Sequence, residues 1–247
     1  LEGIFFVANL FKFTHGGWFS LLIAGLVAAV MIVWRNASRT RARFIEYREM
    51  AECAGLITDI KNDREIPKYA SNLVYLTLSD NPARIESKLI YSIVNKQPKR
   101  ADHYWFIHIE NVDEPDTLEY TVDIVVPQTI YYVNMRLGFR VAPKISVYLR
   151  QVVEDLVATG DIDLTSTYPS LRKEGIPGDF RFIILHRVFS PSSNCPRRAG
   201  QLMRLYEALR KLGVSYRSAL GLDTSIITAE TVPLIINTSP GRRISRG

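Results

Sequence analysis

The densest collection of polar groups suited to chemistry is Ser190-Pro191-Ser192-Ser193-Asn194-Cys195-Pro196-Arg197-Arg198. Serine hydroxyls and two guanidiniums at the entry to a helix are parts for holding an anion, because free N–H groups and the positive dipole end lie there and arginine pairs bidentately with phosphate. Ser192, Ser193, Arg197 and Arg198 are therefore the candidate anion or nucleotide site. The competing reading is structural: Asn194 caps the helix, Pro196 occupies its first turn and the arginines face water. His103, His108 and His186 fall at or in predicted strands, where histidine is more often a satisfied sheet residue than a ligand. Cys53 and Cys195 stand alone in their neighbourhoods, with neither the spacing of metal ligands nor a disulfide framework, and reduced thiols fit best. The chain has no glycine-rich phosphate loop, no G-x-S-x-G and no H-E-x-x-H. No catalytic residue, cofactor or metal is assigned, and the chain is not expected to be an enzyme.

The elements that would carry these residues differ sharply along the chain. The first 34 residues hold only Glu2 and Lys12, so the formal charge of +6 lies beyond them. From Trp18 to Trp34 run seventeen residues without a charge, WFSLLIAGLVAAVMIVW. About twenty residues of helix, at ~1.5 Å each, cross the hydrocarbon of a bilayer. Trp18 and Trp34 put indoles where the headgroup regions lie. The spacing predicts a transmembrane helix over 15–34, preceded by an extracytoplasmic entry over 1–14. A buried core helix is the competing reading, but such helices seldom run so long without charge. A signal peptide would carry its cations before the apolar run, whereas here they follow it, and Leu1 opens a sequence that looks cut from something longer. Gly16, Gly17 and Gly25 would let a neighbouring helix approach closely, or are simply tolerated.

Arg35, Arg39, Arg41 and Arg43 follow the span directly, and basic flanks stay in the cytoplasm more readily than they cross. Everything after Trp34 is then expected to be cytoplasmic, with these arginines and the two tryptophans forming the membrane interface. Arg242, Arg243 and Arg246 form a basic tail over 242–247, while the stretch between is near neutral. Positive charge beside an apolar span points to a lipid surface as partner and not to nucleic acid.

Residues 35–71 read as a basic linker, partly an amphipathic helix over 41–57 at the membrane surface. A mixed α/β domain is predicted over 72–241. Its strands are expected at 72–79, 104–109, 118–126, 130–140 and 180–189, from β-branched and aromatic runs bounded by turns. Its helices are expected from Asn81-Pro82 to about Asn95, from Pro143 to Gly160, and along the stripe Leu202, Leu205, Tyr206, Leu209 and Leu212. The order is β-α-β-β-β-α-β-α, with a short further strand considered at 234–236, which implies one mixed sheet covered by helices.

At the span the residues become specific. Glu2-Gly3-Ile4-Phe5-Phe6-Val7-Ala8-Asn9-Leu10-Phe11-Lys12-Phe13 and His15-Gly16-Gly17-Trp18-Phe19 resemble the run that leads into the last transmembrane helix of the Kup (KUP/HAK/KT) potassium uptake family. The stretch from Gly221 to Ile235, GLDTSIITAETVPLI, is similar to Kup tails from Gram-positive bacteria. Ser20 departs from the family, which often has proline there. The resemblance implies the carboxy-terminal part of a proton-coupled K+ importer in a bacterial cell membrane. Its partners would be the transporter's remaining transmembrane helices, the bilayer, a second copy through the cytoplasmic domain, and a cyclic dinucleotide acting on that domain. In the family, K+ binding and proton coupling belong to earlier helices absent here, so no transport residue is carried over. The alternative is a single-span anchored domain that senses or binds a nucleotide.

Overall fold

Met50, Cys53, Ile57 and Ile60 recur at helical spacing and form one buried face, whereas Leu73, Val74 and Tyr75 are consecutive and all buried, as a strand covered on both faces requires. These two patterns build the domain. In the computed structural model, residues 18–43, 45–163, 173, 178–188, 201, 205–206, 208–209, 220–222 and 226–233 are described. The chain divides into two compact units. One contains helix α1 (Trp18–Arg43), and the other, from Ile45 to Ser190 and Val214 to Ile236, contains every described strand.

The second unit runs β1 (Tyr47–Glu49), α2 (Met50–Asn62), β2 (Lys68–Thr77), β3 (Arg84–Glu86) and α3 (Ser87–Tyr91). A π turn over Ser92–Lys96 continues α3. Then come β4 (Arg100–Val112), β5 (Leu118–Val126), β6 (Ile130–Gly138), α4 (Ile145–Thr159), β7 (Phe180–Val188) and β8 (Ile226–Pro233). Six strands form one sheet in the order β5-β6-β4-β2-β7-β8, and β1 and β3 form a separate antiparallel pair. Every pairing in the large sheet is parallel except β5 with β6. One face buries Tyr75, Tyr104, Phe106 and Tyr132 against α2 and α3, and the other buries Trp105, Tyr131 and Val133 against α4. The mixed sheet with helices on it is thus the expected fold class.

Several boundaries differ from expectation. Residues 35–71 do not form a linker. Arg35 to Arg43 continue α1 without a break, because nothing between them is glycine or proline. The amphipathic helix expected over 41–57 is interrupted by β1, and α2 turns its apolar face into the core and not onto a membrane. The helix expected at Asn81-Pro82 begins only at Ser87. Asn81 instead accepts the Ala83 N–H on Oδ1 at 2.8 Å, and its carbonyl accepts the Arg84 N–H at 3.1 Å. These bonds make a turn, after which Ile85 and Glu86 stay extended to pair with β1. Finally β8, at 226–233, is a full strand where a short one was considered at 234–236, which lies outside the described residues.

Candidate functional site

Helix α1 has a 23-residue stretch, Trp18–Thr40, whose most apolar 18 residues have mean hydropathy 2.0, none of them buried among the described residues. An apolar helix that finds no core to bury it satisfies its own backbone hydrogen bonds and is suited to lipid. Trp18 and Trp34 lie ~24 Å apart along the axis at ~1.5 Å per residue, close to the thickness of a hydrocarbon core. Both indoles are exposed, and the Trp34 ring meets that of Tyr206 at 4.9 Å. Arg35, Arg39 and Arg43 follow at four-residue spacing, which puts them on one side of the helix, all exposed. Arg41 belongs to the same helix, its side chain lying outside the described residues. A Cβ on Gly25 would meet nothing within 4 Å among the described residues, so no contact with them calls for glycine there.

In the sheet, the chain adds β4 and β6 on one side of β2 and then crosses to add β7 and β8 on the other. Ligands of open parallel sheets bind outside the carboxyl ends of the two strands where the order reverses, here β2 and β7. The carboxyl end of β2 is tightly held. Glu86 is fully buried and accepts the Leu78 N–H on Oε1 at 2.6 Å and the Thr77 hydroxyl at 3.5 Å. The Tyr132 hydroxyl donates to the Ser79 carbonyl at 2.7 Å. Ser192, Ser193, Arg197 and Arg198 come after the carboxyl end of β7 in the chain and lie outside the described residues.

The histidines among the described residues are not gathered into a site. His108 is on β4 and His186 on β7, with β2 between them. His103, near the start of β4, is buried, and its pKa falls to about 4, chiefly because burial disfavours the imidazolium and then because Lys61 repels it. Among the described residues no cluster of His, Cys, Asp or Glu is arranged to hold a metal ion. A cavity of about 30 Å³ between β5, β6 and α4, lined by Leu118, Tyr120, Leu137 and Val152 among others, has room for roughly one water.

A buried polar cluster that sequence reasoning missed joins the last strand to the domain. Lys99, wholly buried, lies 3.1 Å from Glu230 Oε1 on β8 and donates to the Ser92 carbonyl. The Ser92 hydroxyl donates to Glu230 Oε2 at 2.6 Å and lies 3.0 Å from the Tyr75 hydroxyl. Burial pushes the Tyr75 phenol well above its ordinary pKa, so the hydroxyl stays protonated. A charged pair with its remaining hydrogen bonds made is tolerated inside a protein. The only sequence signal was a lysine and a glutamate in otherwise strand-forming or turn contexts, with nothing to pair them.

Two family models match the chain: one described as the K+ potassium transporter integral membrane domain, over residues 1–39, and one as the K+ potassium transporter C-terminal domain, over residues 70–232. Among curated proteins, a "Probable potassium transport system protein Kup" of Cytophaga hutchinsonii is 44% identical over 246 residues, covering 100% of this chain and 38% of the relative. Proteins of the same description from Flavobacterium psychrophilum and Clostridium perfringens are 36% and 37% identical, over 96% and 100% of this chain and 36% and 37% of their own lengths. The chain therefore spans little more than a third of the curated relatives it matches. No solved structure matches.

Proposed function

The chain belongs to the Kup potassium transporter family, and on that premise we propose that it works as the carboxy-terminal part of a K+ importer of the bacterial cell membrane, a K+/H+ symporter and not an enzyme. In this reading α1 is a span packed among the transporter's other transmembrane helices, and the α/β domain lies in the cytoplasm, structural or regulatory in role. The observation that carries the proposal is the succession, in one chain, of an integral membrane match over 1–39 and a C-terminal domain match over 70–232. Gly25 supports a helical neighbour, since nothing among the described residues occupies the space beside it.

Two finer parts belong to the same proposal. The cytoplasmic domain dimerises, and it binds an anionic nucleotide of the cyclic dinucleotide class through Ser192, Ser193, Arg197 and Arg198. The residue types support the second, because serine hydroxyls and two guanidiniums are parts that hold a phosphate.

The test is K+ uptake by the longer reading frame that carries this chain, in cells deprived of their own K+ uptake systems. Uptake accompanied by proton entry is expected. Truncation after Arg43 separates the roles of the domain: lost uptake identifies a structural domain, and retained uptake with altered inhibition a regulatory one. A frame that restores no uptake overturns the transport reading. Calorimetry of a cyclic dinucleotide on the chain at near-physiological salt gives measurable binding if the nucleotide reading holds, and no heat ends it.

A further inference from the structure

We propose that β5 is a pairing edge, on which a second copy of this chain adds its own β5 antiparallel to make one continuous sheet across two domains. This rests on the dimer of the preceding section and says where its interface lies.

Among the described residues, the strand has an unpaired side: in the large sheet its one described neighbour is β6. The Gly138 N–H donates to the Thr117 carbonyl at 2.8 Å, which sets the alternation of the antiparallel ladder. With Leu118 opposite Leu137 and each following pair in step as far as Ile124, the residues that bond β6 are Glu119, Thr121 and Asp123. The N–H and carbonyl groups of Leu118, Tyr120, Val122 and Ile124 therefore point away from the sheet. Soluble proteins blunt such edges with lysine, proline or short length. This one has nine residues, none of them lysine, proline or glycine. Leu118, Tyr120 and Ile124 are 51%, 42% and 40% exposed.

The partner that fits is the strand itself. A two-fold axis at Val122 sets Val122 opposite Val122 and Tyr120 opposite Ile124, all at positions whose backbone groups face outward, so the hydrogen-bond parity is correct for both copies. On one face the contacts are then apolar throughout. On the other, Asp123 faces the hydroxyl of Thr121, and Glu119 faces Val125, so no like charges oppose each other. Glu119 is already neutralised by Arg136 Nη1 at 2.8 Å. An interface that is its own complement about an axis is what a closed dimer requires.

The experiment uses the full chain in detergent, with mass read by light scattering. Val122→Pro removes an outward N–H and no bond to β6, and Val122→Lys puts a charge on the axis. Both are expected to convert a dimer into a monomer with the circular dichroism unchanged, while Ala229→Lys on the opposite edge strand leaves the dimer intact. Oxidative crosslinking in membranes is the second readout, with Cys53 and Cys195 replaced by serine. Residues directly opposite in such a ladder have Cα atoms about 5.5 Å apart, within disulfide reach. Val122→Cys should crosslink to itself, and Tyr120→Cys only when mixed with Ile124→Cys. A dimer that survives both Val122 substitutions and gives neither crosslink overturns the edge while leaving the dimer in place. A wild-type chain that is monomeric, with no crosslink in membranes, overturns both.

Discussion

His103 carries a consequence for acid stability. Its folded pKa of about 4 lies below the ordinary 6.5, so the unfolded chain binds a proton in a range where the folded chain does not. Stability from keeping this imidazole neutral is fully present above about pH 6.5, falls as the pH drops, and is gone below about 4, for a total on the order of 3 kcal/mol. Urea unfolding between pH 7 and 4 should show that loss, and His103→Gln should flatten it; an unchanged slope in the variant would refute the assignment. Lys99 and Glu230 should behave as a pair. Lys99→Met leaves a carboxylate buried without its partner and should cost about 3–5 kcal/mol, whereas Lys99→Met with Glu230→Leu should recover much of it. Losses that simply add in the double variant would mean that the two do not interact. At this scale the sequence was least legible. Both residues are polar groups in apolar company, and only the approach of β8 to the π turn explains how each is satisfied.

Helix α4 shows what local chemistry can decide. Its end was legible because Gly160 has φ +81°, a conformation that glycine adopts without strain. The Asp161 N–H then closes back on the Leu156 carbonyl at 2.9 Å, which terminates the helix. Gly160→Ala should cost about 1 kcal/mol, read as a fall of about 2–4 °C in the melting temperature of the domain; no shift would mean that the turn relaxes freely. Helix α3 shows the opposite case. Asn81-Pro82 has the local form of a helix start, yet the next residues stay extended because β1, more than thirty positions earlier, supplies a pairing partner for Ile85 and Glu86. Strand β8 escaped for a similar reason, since Ala229, Glu230 and Thr231 interrupt its apolar pattern and are accommodated by neighbours far away in the chain.

For the whole molecule, what composition and periodicity reveal is the division into an apolar span and a mixed α/β domain, because each solvent imposes its own pattern on contiguous residues. The strand order is a property of long-range pairing, so the reversal at β2 and β7 could not be read from local pattern. Orientation lies between these cases. The apolar span sets no direction, whereas Arg35, Arg39 and Arg43 at the carboxyl end of the same helix do, since basic flanks resist export. With Arg41 they make four cations within nine residues, each worth about 1 kcal/mol beside an anionic leaflet. A fluorescent protein fused after Gly247 should therefore be bright, because it folds in the cytoplasm, and a phosphatase that matures only outside should be inactive at the same point. Replacing all four arginines by glutamine should shift part of the population toward the phosphatase-active state. If the wild-type fusion is already phosphatase-active, the domain faces outward, and a cytoplasmic nucleotide is removed as its ligand together with the orientation.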